Sequence, residues 1–218
     1  MSLFALDEYV DGERDSLGVL WCRSSPTEVN RLLNESHYLG PRDSGMVVFA
    51  GIRDEEVVAA QIWGAPSSRN LPSDGSWLEL ARWCLTPQAG PNAGSRQHRH
   101  VVRWLRQHQK NVTTLVSYSD PSQGHTGALY RACNWEWYPT WHRINPPPTG
   151  NGRWSADAEI QSVKDRWIYP VRTDARRSSI LSFPDYAVDR VRSSLSRDWH
   201  PWQRSALERQ LSLSGEVN

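Results

Sequence analysis

Asp120, His125 and Tyr130 are the residues whose types and spacing could do chemistry: a carboxylate that can accept a proton, an imidazole that can relay one and a phenol that can donate one. They lie in Val116-Ser117-Tyr118-Ser119-Asp120-Pro121-Ser122-Gln123-Gly124-His125-Thr126-Gly127-Ala128-Leu129-Tyr130. Each also has an ordinary structural reading. An Asp-Pro pair commonly makes a turn, His125 could cap a helix, and Tyr130 could be core with its hydroxyl satisfied. What favours a site is the junction itself. Val112 to Tyr118 is rich in β-branched and apolar residues without Gly or Pro, which predicts a strand buried on both faces. Asp120-Pro121 and Gly124 end it, and Ala128, Leu129, Ala132 and Cys133 recur at helical spacing. Strand, loop and short helix follow one another, and ligands gather at the carboxyl ends of strands in open α/β sheets.

Other elements must hold this junction in place. Leu17 to Arg23 reads as a first strand, and Ser25-Pro26-Thr27-Glu28 as a capping box with Pro at the first helical position. Val29, Leu32 and Leu33 form that helix's apolar face, which ends near Ser36-His37-Tyr38-Leu39-Gly40. Met46 to Ile52 and Glu56 to Gly64 predict a hairpin turning at Arg53-Asp54-Glu55, and Trp77 to Leu85 a further strand. A Gly/Pro loop from Thr86 leads into a long helix, Ser95 to Lys110. The order predicts an α/β fold, a mixed sheet with helices on both faces.

Residues 1–145 are read as the catalytic domain and 146–218 as a C-terminal extension that packs on the core or contacts DNA. The boundary is the cluster Pro146-Pro147-Pro148-Thr149-Gly150-Asn151-Gly152. Beyond it, a strand is expected at Arg166 to Val171 and helices at Asp185 to Leu195 and Trp202 to Leu211. No internal repeat is evident.

Composition narrows the function classes. A net charge of +1 supplies no global field toward nucleic acid or membrane. No apolar run approaches the ~18 residues of a membrane span, and no basic-then-apolar leader opens the chain, so a cytoplasmic protein is expected. Cys22, Cys84 and Cys133 are unclustered and read as buried small hydrophobes. The twelve Trp are core bulk or platforms for bases.

The charge is local. Between Glu79 and Asp120 there is no acidic residue, whereas Arg82, Arg96, Arg99, Arg103, Arg106 and Lys110 are basic. From Arg96 to Lys110 the cations step by three and four along one helix face, opposite His98, Val101, Val102 and Leu105. Such a stripe is either a solvated face or a track for DNA phosphates. At the helix N-terminus, Gln88-Ala89-Gly90-Pro91-Asn92-Ala93-Gly94-Ser95 could present backbone N–H groups to a pyrophosphate, although it lacks the Gly-Lys-Ser/Thr of a Walker loop.

Ser36-His37-Tyr38-Leu39-Gly40, Leu78-Glu79-Leu80-Ala81-Arg82-Trp83, Pro91-Asn92-Ala93-Gly94-Ser95-Arg96 and the segment Ser117 to Trp135 occur in the order seen in the Mom DNA-modification proteins of phages, typified by phage Mu. Over roughly residues 30 to 142 the chain resembles that family, whose fold is similar to that of the GCN5-related N-acetyltransferases. Pro91 stands where the acetyltransferase phosphate loop carries Gly. The resemblance implies conversion of adenine in double-stranded DNA to N6-(methylcarbamoyl)adenine, shielding the DNA from host restriction. It implies catalytic roles for Asp120, Tyr130, His37 and Tyr38. Arg82, Ser95 and Asn92 would hold acetyl-CoA or a related acyl-CoA as the small-molecule donor, and Arg96, Arg99, Arg103 and Arg106 would contact DNA. Iron is a further candidate cofactor, with His37, Asp120 and His125 as conceivable ligands, and a homodimer is expected from the two-fold symmetry of DNA. Two other readings stay open: an N-acetyltransferase of this fold acting on a protein or small amine, and a non-catalytic DNA-binding protein.

Overall fold

The computed structural model of the chain describes residues 12–68, 71–138, 164–172 and 201–214. The elements are β1 (Glu13–Arg14), β2 (Leu20–Arg23), α1 (Pro26–Ser36), β3 (Val47–Arg53), β4 (Glu56–Gly64), β5 (Trp77–Leu85), α2 (Ala93–His108), β6 (Thr114–Ser119), α3 (Ala128–Ala132), β7 (Glu136–Tyr138), β8 (Asp165–Pro170) and α4 (Pro201–Ser214). The strands form a mixed sheet in the order β1-β2-β3-β4-β5-β6-β8-β7. The α/β class expected from the sequence is the one observed. Two compact units divide the chain: Met1–Val116 with Tyr169–Arg176, and Ser117–Ile168 with Arg177–Asn218.

In the first unit, local chemistry sets the boundaries. Ser25 accepts the Glu28 amide at 3.3 Å while Glu28 accepts the Ser25 amide at 2.8 Å, so the expected capping box starts α1. Asp54 and Glu55 both take positive φ, 50° and 64°, the geometry of a two-residue hairpin turn between β3 and β4. Several boundaries differ from expectation. β2 begins at Leu20 rather than Leu17, because the Asp15 carboxylate accepts the Leu17 and Val19 amides and folds that stretch into a turn. β6 begins at Thr114 because Val112 bonds Gln109 O, closing α2, and Thr113 bonds Ser76 O. α2 spans Ala93–His108, so Lys110 lies past its end and the helical basic stripe stops at Arg106.

Strand alternation gives this sheet two covered faces. Val48, Ala50 and Ile52 of β3 pack with Val29, Leu32 and Leu33 of α1. Phe49, between them, meets Trp104 and His100 of α2 edge-on, with centroids 5.5 and 5.9 Å apart. Gly51 is required where the chains press together, since a Cβ there would lie 2.4 Å from the Trp21 ring. In the β4–β5 pairing Ile62 faces Arg82 and Trp63 faces Leu80, so Ala81 is an extra residue in β5. Such a bulge re-aims the side chain beside it, here Arg82.

The second unit holds the end of β6, the turn Pro121–Gln123, α3, the β7–β8 pair and α4. α3 is short because Cys133 N–H bonds back to Leu129 and Tyr130 carbonyls and Asn134 turns left-handed at φ 59°. Trp137 pairs across the strands with Trp167. The expected strand and helix near 166–171 and 202–211 are present as β8 and α4. The expected helix at Asp185 to Leu195 and the Pro146 to Gly152 linker lie outside the described residues. Among the described residues no helix is long and apolar enough to cross a membrane.

Candidate active site

His37 and Tyr38 are held by a tight turn in the first unit. His37 is the C-cap of α1, its amide bonding Leu33 O at 3.0 Å, and its Nδ1 accepts the Leu39 amide at 3.2 Å. Its ring stacks on Tyr38 with centroids 5.1 Å apart, and Tyr38 is 44% exposed. Arg82 fastens this turn from β5: Nε donates to Gly40 O at 3.0 Å, Nη2 to Leu39 O at 3.4 Å and Nη1 to Ala81 O at 2.8 Å. Burial first, and the neighbouring Arg42 charge second, pull the Arg82 pKa below the ordinary arginine value. Arg82 thus joins the Ser36–Gly40 segment to the bulge in β5, a link the sequence does not announce.

Asn92 and Ser95 sit at the start of α2. Asn92 is the N-cap in a left-handed conformation, φ 54°, without a side-chain capping bond, and its carbonyl accepts the Arg96 amide at 3.0 Å. The preceding loop turns its carbonyls onto guanidinium groups. Arg53 Nη1 donates to Gln88 O at 2.8 Å, Arg96 Nε to Pro91 O at 3.1 Å, and Arg96 Nη2 to Ala89 O. Carbonyl oxygens occupied in this way, a helix N-terminus without an acidic first turn, and nearby Arg charge together fit an anionic phosphate. Pro91 contributes no N–H, so the first turn of α2 is what would hold the pyrophosphate of an acyl-CoA.

Farther along α2, the stripe is less bare than its sequence suggests. Arg96 pairs with Asp15 and Arg103 with Glu13, acids supplied from the segment before β2. Burial raises the Asp15 pKa, but bonds from the Trp21 indole, the Val19 and Leu17 amides and Arg96 outweigh it and hold the carboxyl below its usual range. Arg106 Nε donates to Val171 O at 2.7 Å. Arg99 is exposed. Opposite them, His98, Val101, Val102 and Leu105 are buried, as expected.

The second unit gathers the residues of the strand–loop–helix junction. Asp120 ends β6 and is 8% exposed. Its carbonyl accepts the Gln123 amide at 3.0 Å and the His125 amide at 3.4 Å, while its own N–H points at His125 Nδ1 at 3.5 Å. The Asp-Pro turn and a buried carboxylate are therefore the same residue. Tyr130 on α3 lies with its hydroxyl 2.8 Å from Ser117 Oγ. Ser119, two residues along and on the same side of β6, accepts the Trp167 indole N–H at 2.8 Å. The Tyr130 and Trp167 rings stack at 5.1 Å and 9°, and Trp135 meets Tyr130 edge-on at 5.5 Å. Gly127 makes the approach of α3 feasible, because a Cβ there would lie 2.1 Å from the Trp167 ring. Ser117, Ser119 and Trp167 are parts of the site that the sequence reading missed. Their only trace is the two-residue spacing of the serines.

Buried thiols add no nucleophile here: Cys22, Cys84 and Cys133 are buried and not disulfide-linked, and burial pushes the Cys22 thiol up to about 12. Among the described residues no three His, Cys, Asp or Glu side chains converge as a metal-binding set.

A mixed sheet flanked by helices defines an α/β protein, a class in which ligands gather at the carboxyl ends of strands. The chain belongs to the Mom protein family, whose sequence profile matches residues 23–166. A comparison with curated proteins finds no match. Among solved structures, the ribosomal-protein-S18-alanine N-acetyltransferase of Escherichia coli is similar at 15% identity and a TM-score of 0.45, covering 70% of this chain and 95% of that one. The GNAT domain of S. lividans PAT is similar at 12% identity and a TM-score of 0.47, covering 74% of this chain and 95% of that one. An acetyltransferase from Salmonella typhimurium with its cofactor acetyl-CoA is similar at 8% identity and 0.48, covering 71% and 95%.

Proposed function

We propose that the chain is a DNA-modification transferase that converts adenine in DNA to N6-(methylcarbamoyl)adenine. The observation that carries the reading is the pair at the end of β6: a buried Asp120 carboxylate, and a Tyr130 hydroxyl bonded to Ser117. Both lie inside the segment matched by the Mom family, as do His37, Tyr38, Arg82, Asn92 and Ser95.

The adenine N6 amine is a weak nucleophile because its lone pair is delocalised into the ring. A carboxylate that accepts an N6 proton as the new bond forms lowers the barrier, typically by 10²–10⁴-fold in rate, and Asp120 has that role. Tyr130 donates its phenolic proton to the departing group, and Ser117 Oγ, 2.8 Å away, holds the phenol oxygen in place. His37 and Tyr38, stacked and braced by Arg82, contact the base. The first turn of α2, with Asn92 and Ser95, holds the phosphates of an acyl-CoA, which when bound supplies an acyl group on a thioester. In the methylcarbamoyl product N6 is bonded to a CH₂ carbon and an amide nitrogen ends the chain, so the complete reaction also draws on a two-electron oxidant, because the N6–C bond replaces a methyl C–H bond, and on ammonia or an amine equivalent, whose nitrogen displaces the thiolate that Tyr130 protonates. Because N6 is stacked inside duplex DNA, the base must leave the stack, which costs a few kcal/mol and is offset by contacts to phosphate and base.

Protection from restriction tests this reading. Plasmid recovered from cells expressing the chain should resist endonucleases whose sites contain adenine. Asp120→Ala and Tyr130→Phe should each restore cutting to most of the DNA. Full protection in both variants would remove these residues from the chemistry.

A further inference from the structure

Tyr130 is the end of a larger aromatic assembly whose last member comes from α4, far from every other candidate site residue in the sequence. Trp167 stacks with Tyr130 and also with Trp202 of α4, the second pair at 5.8 Å and 19°. Trp137 meets Trp202 edge-on at 5.7 Å. The guanidinium of Arg131, the residue after Tyr130 on α3, lies 4.4 Å from the Trp202 ring and is itself fixed by a 2.8 Å bond from Nη1 to Thr126 O. Trp167 is 0% exposed, so its ring is covered throughout. Two further bonds hold the arrangement at its edges: Trp167 Nε1 to Ser119 Oγ, and Gln210 Nε2 of α4 to Trp137 O at 2.7 Å.

We infer that Trp167 and Trp202 are positioning residues for Tyr130, and that α4 thereby makes the C-terminal extension part of the active site. This rests on the catalytic reading of Tyr130. A phenol that donates a proton must hold both its ring plane and its hydroxyl direction. Ser117 fixes the hydroxyl, but one hydrogen bond leaves the ring free to rotate about its Cα–Cβ and Cβ–Cγ bonds. Trp167 fixes the plane by stacking, and it can do so only if it cannot tilt. Ser119 holds its N–H edge and Trp202 holds its ring. Simple core filling would need no such registration of two serines against two stacked rings. It would also not place a half-exposed tryptophan and arginine at the outer end, where packing contributes least. A cavity of about 240 Å³, lined in part by Trp135, Trp137, Trp202 and Arg209, lies beside Trp202, so shortening that side chain leaves Trp167 room to move.

A substitution cycle tests this. Turnover of adenine modification and KM for DNA are measured for Trp202→Leu, Trp202→Phe, Tyr130→Phe and the double variant Trp202→Leu/Tyr130→Phe. The Tyr130 ring is followed by fluorine NMR of 3-fluorotyrosine-labelled protein, with Tyr130→Phe assigning its signal. Trp202→Leu should lower turnover roughly ten- to hundred-fold while KM stays within about two-fold, since misplacing a reacting group by about 1 Å has effects of that size. Trp202→Phe, which keeps a ring, should retain most of the turnover. In the Tyr130→Phe background Trp202→Leu should cause no further loss, and in the wild-type background it should mobilise the Tyr130 signal. An equal loss in both backgrounds, or an unchanged Tyr130 signal in Trp202→Leu, would overturn the inference. If Tyr130→Phe keeps full turnover while the signal still responds to Trp202→Leu, the catalytic reading of Tyr130 fails and the brace stands. Should Trp202→Leu not fold, Ser119→Ala removes the other restraint on Trp167 and is read by the same two outcomes.

Discussion

At Asp120 one residue serves two purposes: its backbone closes the turn after β6 through Gln123 and His125, and its carboxylate is left buried at the strand end. A turn residue on the surface would have its carboxylate in water. Burial is what separates the catalytic reading from the commoner Asp-Pro turn. His98 shows burial acting in the opposite sense. It is 4% exposed, in edge-on contact with Tyr169 at 4.6 Å, and desolvation, aided by the Arg106 charge, pushes its pKa down to about 3 from an ordinary 6.5. The folded chain therefore keeps His98 neutral where the unfolded chain protonates it. Stability is fully present above pH 6.5 and falls as the pH drops toward 3, by up to about 1.4 kcal/mol per pH unit from this group. Urea midpoints measured from pH 7.5 to 4.5 should decline in the wild type and decline less in His98→Gln. Parallel curves would show that His98 is not the group responsible.

On the scale of elements, α2 carries two features, an N-terminus without an acidic first turn and a basic outer face, and acids from the segment before β2 divide that face. Arg96 and Arg103 are balanced by Asp15 and Glu13, while Arg99 is exposed. The acid-free sequence from Leu80 to Ser119 suggested an unbroken track; the pairing acids lie 81 and 90 residues upstream of their partners, and spacing along one helix cannot reveal them. If α2 contacts DNA, Arg99→Glu should weaken binding several-fold at low salt and reduce the slope of log affinity against log salt by about one. Arg103→Glu should have a smaller effect, because Glu13 already offsets that charge. Equal affinities for wild type and Arg99→Glu across a salt titration would return the stripe to a solvated face. Local signals in the sequence were otherwise dependable. The Ser25–Glu28 capping box, the β3–β4 hairpin and the bounds of β5 depend on neighbouring residues, and each is where it was expected. The early start of α2 was not legible, because a left-handed Asn92 caps it without the side-chain bond that marks most helix starts.

For the molecule as a whole, the readable and unreadable parts separate by sequence distance. Asp120, His125 and Tyr130 stand close together in the chain, and the junction that carries them was visible as strand, loop and helix. The Tyr130–Trp167–Trp202 assembly joins residues across more than seventy positions, and nothing in the composition distinguishes its tryptophans from those that fill the core. Arg82 was legible as a site residue by resemblance, but its grip on the Leu39 and Gly40 carbonyls depends on the bulge at Ala81, which leaves no mark in the sequence. The central proposal is that this chain changes adenine in DNA. Nucleoside mass spectrometry of DNA from cells expressing the chain tests it most directly. The account predicts N6-(methylcarbamoyl)deoxyadenosine with the wild type and little or none with Asp120→Ala. Unmodified deoxyadenosine in DNA from cells making the folded wild-type protein would contradict it.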